Sequence, residues 1–315
     1  MDIRLPSNTL DRPTVAVIGA GAIGAYYGSR LQKAGSFVQY QSNTMANTKR
    51  LTVKSIKGNY SLPVEVFANS SQMKPADLVM VTIKALPTIN LRTLIEPVLK
   101  QKSTILILQN GINQDEKYAR LFAKYKPIIL GGLPFTCISR VNKSTIQHVD
   151  YGFIQIAPLH STKENIQIAK NLTDLFNDSE IDTSYRIDLR KARYEKLLWN
   201  AAYNTLSVIL NSTTDTMVNN QEIANLSLRI MNEIAQIAAA EQIVISNKTC
   251  RNMLERTRKM TPYKTSMLLD YEAKRPMEID LILSEPIRMA KKHKISVPNL
   301  QMTYDLLYFL EQQYR

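Results

Sequence analysis

The pattern of apolar and polar positions changes character once along this chain of 315 residues. Thr14-Val15-Ala16-Val17-Ile18 is an unbroken, β-branched run that stops at Gly19, the texture of a parallel strand buried on both faces. Ala22 to Ala34 then carries helical spacing and closes at Gly35, and Phe37-Val38-Gln39-Tyr40 reads as a second strand. Leu78 to Ile83 and Thr104 to Leu108 are further strand-like runs, with helix-like stretches such as Thr88 to Leu99 between them. Strands alternating with helices predict right-handed crossovers and a mostly parallel sheet. From about Asp188 the β-branched runs give way to long stretches of helical spacing. These are Asp188 to Leu210, Gln221 to Glu241, Lys248 to Lys259, Pro276 to Lys292 and Asn299 to Gln313. Asp188 is suited to cap the first.

The sharpest local motif is Gly19-Ala20-Gly21-Ala22-Ile23-Gly24. Alone, G-x-G-x-x-G says little; here it leaves a strand, opens a helix and leads to a second strand, the setting a dinucleotide loop requires. Gly19 permits the tight turn, Gly21 lets backbone approach a pyrophosphate, and Gly24 lets helix pack closely on strand. The phosphates would rest on the unpaired amides at the positive end of that helix. The expected fold class is therefore an α/β N-terminal Rossmann domain with a mostly parallel sheet, followed by an all-α C-terminal domain. Residues 1–187 form the first, including a polar leader over 1–13, and 188–315 the second, with the boundary between about 180 and 190. At the tip of the second strand the chain offers Gln41-Ser42-Asn43-Thr44, with Lys49 and Arg50 a little later. There is no acid to repel a ribose 2′-phosphate and no Arg at the tip to hold one, so this stretch leans only slightly toward NADP over NAD.

Composition narrows the field further. With 44% hydrophobic and 21% charged residues, the chain has material for a core, and disordered or fibrous readings fall away. No apolar run reaches the ~18 residues of a membrane span. The first residues lack an apolar signal core, so a cytoplasmic protein is expected. Two cysteines, Cys137 and Cys250, form no disulfide framework and suit a reducing compartment. The formal charge of +13 is spread along the chain with no nucleic-acid-binding signature, so its expected use is to draw small anions rather than DNA or RNA. No Cys/His/Asp cluster has ligand spacing, and no metal is expected. His148 reads as structural, His160 and His293 as surface residues, and Cys137 as a buried small hydrophobe.

Lys196, Asn200 and Asn204 recur at i, i+4 and i+8 within the first C-terminal helix, among Leu197, Leu198, Trp199, Ala201, Ala202 and Leu206. Two readings stand. The stripe faces solvent, or it lines a cleft where Lys196 protonates a developing alkoxide and the amides orient substrate oxygens. A second segment, Ser266 to Asp280, places Pro276 where a helix would begin and Glu278 in its first turn. Ser266 then reads as a helix cap or as a ligand, and Glu278 as a helix-start carboxylate or as a functional one.

Taken together these motifs resemble the ketopantoate reductase (2-dehydropantoate 2-reductase) family from about residue 14 onward. The glycine loop is matched by Gly19, Gly21 and Gly24, and a strand-end Lys by Lys84. An Asn-Gly is matched by Asn110-Gly111, and K-L-x-x-N-x-x-x-N by Lys196, Leu197, Asn200 and Asn204. S-M-L-x-D…R-x-x-E-I-D is matched by Ser266, Met267, Leu268, Asp270, Arg275, Glu278, Ile279 and Asp280. The resemblance implies an active site between the two domains and hydride transfer from NADPH to a 2-oxo acid, giving a D-2-hydroxy acid. It implies Lys196 as general acid, Glu278 as its orienting partner and Ser266 as a substrate ligand. Asn110, Asn200 and Asn204 become substrate- or nicotinamide-facing amides, and Lys84 a cofactor-side cation. Gly19, Ala20, Gly21, Ala22, Ile23, Gly24, Ser42 and Asn43 would line the cofactor. A homodimer through the helical domains is the expected assembly.

The sequence departs from the family pattern at several places. Asn43 stands where the family often carries Arg, leaving NAD(H) open beside NADP(H). Thr214-Asp215, Leu283-Ser284-Glu285 and Tyr263-Lys264 differ near the substrate end. The alternative substrate is a branched or aromatic 2-oxo acid, as for a D-mandelate-type dehydrogenase, and the alternative to an enzyme is a dinucleotide-binding sensor.

Overall fold

The fold is described from a computed structural model over residues 12–86 and 88–315; most of the polar leader lies outside the described residues. The chain divides into two compact units. One takes in the residues up to Gln109 together with Asn113–Leu189, and the other comprises Asn110–Ile112 and Arg190–Arg315.

The first unit is built on a ten-stranded sheet. Its strands are β1 (Thr14–Ile18), β2 (Phe37–Gln41), β3 (Arg50–Ser55), β4 (Tyr60–Pro63), β5 (Glu65–Phe67), β6 (Ala76–Val81), β7 (Leu99–Ile107), β8 (Ile128–Arg140), β9 (Thr145–Pro158) and β10 (Thr183–Tyr185). The order is β4-β3-β9-β8-β7-β6-β1-β2-β5, with β10 beside β9. Among the described residues, the β3–β4 and β8–β9 pairs are antiparallel and the others parallel. The unbroken apolar runs follow from two-sided burial. Val15 and Val17 of β1 join one core cluster with Leu78 and Met80, while Ala16 and Ile18 join another with Val79 and Val81. Alternate side chains point to opposite faces, and both faces are covered. Helix α1 (Ala22–Lys33) supplies Ala25, Tyr26, Tyr27 and Leu31 to the first layer.

One expectation is corrected in this unit. The helix read over Thr88 to Leu99 is only Leu91–Ile95, followed by a 3-10 turn at Glu96–Val98. The Asn90 side chain caps it by accepting from the amides of Arg92 and Thr93, and Pro97, which has no amide to donate, sits in the 3-10 turn that tightens its end. The long β8–β9 hairpin, and the helix Lys163–Asp178 capped by Thr162 after it, add to the elements expected from the sequence. His148 on β9 is fully buried. Its Nε2 donates to the Tyr151 carbonyl at 2.8 Å, so Nδ1 is left to accept from Tyr26 at 3.0 Å and Ser55 at 2.8 Å. Burial lowers its pKa, as suits a neutral brace. Cys137 is buried, and its thiol is pushed up to about 11 by that burial.

The second unit is helical. The longest helix, Gln221–Ala240, begins at Asn220, whose side chain accepts from Ile223 N. Its Glu233 carboxylate is buried at the start of Pro298–Gln312, accepting from the amides of Asn299 and Leu300 at 3.0 and 2.8 Å. A negative group there satisfies orphan amides and complements the helix dipole. His293 is half-buried against Glu241, not a free surface residue, because that carboxylate offers its Nε2 an acceptor. Among the described residues, no helix is long and apolar enough to cross a membrane.

Candidate active site

In the sheet unit, the glycine loop runs from β1 into α1. Gly19 has φ +87°, and a Cβ there would lie 2.1 Å from Ile83 Cγ2 and 2.6 Å from Ile83 N. At Gly24 a Cβ would meet Thr82 Oγ1 at 2.3 Å. The protein's own packing therefore demands both glycines. Gly21 is different. Its φ of −79° and ψ of −154° are open to any residue, and a Cβ would meet nothing closer than the Gly19 carbonyl at 3.9 Å. No described neighbour requires glycine there, and the open space leaves room for a ligand to approach the backbone closely. Gly21 caps α1 without a side-chain hydrogen bond, and Ala22, Ile23 and Gly24 open a first turn without acids. Uncapped first-turn amides suit an anion, and a dinucleotide fits this loop.

The loop is tied to its neighbours. Gly19 N and Ala20 N donate to the Gln41 carbonyl at the end of β2, at 3.1 and 2.8 Å. Thr82 Oγ1 donates to the Gly19 carbonyl at 2.7 Å. Lys84, half-buried, follows two residues later. At the tip of β2, Ser42 is buried and Asn43 exposed, with Gln41 Nε2 donating to Asn43 Oδ1 at 3.1 Å.

In the helical unit, the helix expected over Asp188–Leu210 is interrupted. It runs α-helical over Leu189–Trp199, π-helical over Asn200–Asn204 and α-helical again over Thr205–Ile209. In a uniform α-helix, positions i, i+4 and i+8 drift steadily around the axis. A π turn closes i→i+5 and turns less per residue, so it reverses the drift and brings Asn204 back toward the line of Lys196 and Asn200. Both asparagines are buried, which removes the reading of a solvated stripe for them. The Asn204 Oδ1 has no hydrogen-bond partner among the described residues. Carbonyls in the widened turn are met by hydroxyls: Thr205 Oγ1 donates to Ala201 O at 2.6 Å and Ser207 Oγ to Asn204 O at 2.8 Å. Thr205→Val keeps the side-chain shape and deletes that donor. We expect a loss of about 1–2 kcal/mol in urea unfolding, together with a lower kcat as the asparagines shift.

A second π turn, Asp280–Ser284, precedes the helix Glu285–Lys292. The helix expected from Pro276 thus begins later, and Glu278 lies just before it rather than in its first turn. Its carbonyl accepts from Ile282 N at 3.2 Å. Pro286 explains the irregularity: a proline clashes with the carbonyl four residues back, and the wide turn ahead of it opens the space. Asp270 and Arg275 brace the approach through a 3.0 Å ion pair, and Met277 N donates to Glu311 at 2.7 Å. Ser266 is not a cap; Thr265 is, accepting from Leu268 N. Ser266 is the exposed first residue of Ser266–Glu272.

Asn110 belongs with the helical unit: although it follows β7 in sequence, Asn110–Ile112 groups there, and Asn110 Nδ2 donates to Glu278 Oε2 at 2.9 Å. Gly111 makes the approach possible, with φ +87° and a Cβ position only 3.1 Å from Leu281. Lys196 is half-buried, and burial lowers its ammonium to about 7; Arg193 pushes the same way and Glu278 opposes. Arg193 is itself buried, one turn earlier on the helix, and sequence reading does not single it out because its effect comes through burial. The unit therefore joins an acid near neutrality, a carboxylate in its field and an amide on that carboxylate.

Comparison with known proteins agrees in extent. The family model described as ketopantoate reductase PanE/ApbA matches residues 15–161, and that of its C terminal matches 188–311. The 2-dehydropantoate 2-reductase of Nostoc sp. (strain PCC 7120 / SAG 25.82 / UTEX 2576) is 33% identical over 95% of this chain and 96% of its own. The crystal structure of 2-dehydropantoate 2-reductase from Geobacter metallireducens GS-15 matches with a TM-score of 0.87 and 32% identity, over 95% of this chain and 99% of that one. D-mandelate dehydrogenase with NADH and anilino(oxo)acetate shares the fold, with a TM-score of 0.84 and 21% identity over 96% and 99% of the two chains. Matched over both units, this chain belongs to the ketopantoate reductase family of oxidoreductases.

Proposed function

We propose that the protein reduces a 2-oxo acid to the D-2-hydroxy acid, with 2-dehydropantoate to pantoate as its reaction. The observation that carries this reading is the half-buried Lys196, brought to about 7 beside Glu278, in a chain matched along its length by a 2-dehydropantoate 2-reductase. A bound nicotinamide dinucleotide supplies the hydride. Gly19, Ala20, Gly21, Ala22, Ile23 and Gly24 hold its pyrophosphate, Ser42 and Asn43 its adenosine ribose, and Lys84 adds a cation on the cofactor side. Lys196 stabilises the negative charge that grows on the substrate oxygen and then releases a proton to it. Glu278, steadied by Asn110, orients the ammonium. Asn200 and Asn204 direct substrate oxygens, and the Asn204 Oδ1 awaits a donor such as a substrate hydroxyl. Ser266 binds the substrate carboxylate. The same reading carries a homodimer, for which the last helix offers the exposed Met302, Leu306 and Phe309.

The test is loss of NADPH and NADH absorbance with ketopantoate, 2-ketoisovalerate and benzoylformate side by side. Ketopantoate is expected to give the highest kcat/KM. A preference for benzoylformate would move the assignment to a mandelate-type dehydrogenase. Cofactor binding without turnover of any 2-oxo acid would leave a dinucleotide sensor.

A further inference from the structure

Gln41 to Thr44 at the tip of β2 include no arginine, yet the fold brings one there. Arg140, the last residue of β8, donates to Thr44 Oγ1 at 2.6 Å across 96 positions of chain. Thr44 lies within 3.3 Å of Ser42 Oγ, and Met45 N donates to Ser42 Oγ at 3.3 Å. The Ser42 amide is tied to the Phe67 carbonyl at 2.9 Å. The turn Ser42-Asn43-Thr44 is thus a defined structure directly after Gln41, whose carbonyl anchors the glycine loop. In a Rossmann unit this is where the adenosine ribose is read: a carboxylate there favours a free 2′-hydroxyl, and a nearby arginine accommodates a 2′-phosphate. Residues 41–50 contain no carboxylate. Asn43, Thr44 and Arg140 are all exposed, so a guanidinium with five donors can turn a planar pair of them to a phosphate at little desolvation cost.

We infer that Arg140 is the residue that selects the 2′-phosphate of NADPH, a role taken from a distant strand in place of an arginine at position 43. Thr44 holds the guanidinium at the turn, and Ser42 and Asn43 supply neutral hydrogen-bonding groups beside it. The inference rests on the glycine loop binding a nicotinamide dinucleotide, as proposed above.

The experiment is isothermal titration of the full-length protein with NADPH and with NADH, for the unaltered chain, Arg140→Ala, Arg140→Gln and Lys291→Ala. Arg140→Gln keeps a donor for Thr44 without the charge, and Lys291→Ala removes one positive charge elsewhere. Thermal unfolding checks that each variant is folded. Both Arg140 variants should weaken NADPH about 30-fold, in line with a charge-assisted bond, and NADH less than twofold. Lys291→Ala should move neither by more than twofold. Equal weakening of both cofactors, or an unaltered NADPH affinity in the Arg140 variants, overturns the role of Arg140 while leaving dinucleotide binding in place. Failure of the unaltered protein to bind either cofactor overturns both.

Discussion

Lys196→Met should lower kcat by about three orders of magnitude, the usual contribution of a positioned general acid, while cofactor affinity stays within about twofold of the unaltered protein. The ammonium titrates at about 7 because burial, reinforced by Arg193, disfavours its charge. A general acid acts while protonated, so ketone reduction should decline as pH rises through about 7, and oxidation of the hydroxy acid should show the opposite trend. Stability carries the same signature. An unfolded lysine keeps its proton up to its ordinary 10.5, whereas the folded chain releases it near 7. Between those values the unfolded state holds more protons, so stability rises with pH across the window, and below it the enclosed ammonium is destabilising in full. Lys196→Met should therefore be more stable than the parent at pH 6 by about 2 kcal/mol, a figure reduced for partial exposure, with a smaller gain at pH 9.5. Urea unfolding at the two pH values measures the difference. A variant that keeps half its turnover would remove Lys196 from the proton transfer.

The glycine loop yields the second large effect, as a contrast between neighbours. Gly19→Ala forces a left-handed conformation on a residue with a Cβ and drives that atom into the Ile83 backbone, 2.6 Å from its nitrogen. Backbone cannot swing aside as a side-chain tip does. The expected loss is about 3–5 kcal/mol, enough to leave a domain of ordinary stability marginal. Gly21→Ala meets neither obstacle, with an ordinary φ and open space around the added methyl. Its melting temperature should stay within about 3 °C of the parent, while its dinucleotide affinity falls about tenfold or more as the methyl occupies the approach to the pyrophosphate. Thermal denaturation and a fluorescence titration of cofactor separate the two. If Gly21→Ala binds as tightly as the parent, the loop does not cradle phosphate.

Local signals account for a definite part of the candidate site. The glycine spacing was readable because strand, loop and helix follow one another directly along the chain, although Ile83 and Thr82, which enforce Gly19 and Gly24, are distant in sequence. The polar stripe was readable because a helix repeats at a fixed interval. The interval itself was slightly wrong. The π turn at Asn200–Asn204 has no local marker, since the hydroxyls of Thr205 and Ser207 occur as readily in plain helices. The second π turn did leave a trace in Pro286, whose missing amide and bulky ring are incompatible with an undisturbed helix. Ser266 and Thr265 illustrate the smallest scale of error: either hydroxyl suits a cap, and only the backbone angles decide between them.

By itself the amino-acid order determined the alternation of buried strands and helices, the glycine loop, and the change to helix near residue 188, because each is written in residues close along the chain. Tertiary structure alone decided which distant groups meet. Asn110 leaves the sheet unit to donate to Glu278, 168 positions away, and Arg140 arrives beside Thr44 from another strand. Burial of Lys196 likewise depends on everything packed around it. Such encounters are set by strand order and loop closure, and these leave no periodic mark on the sequence.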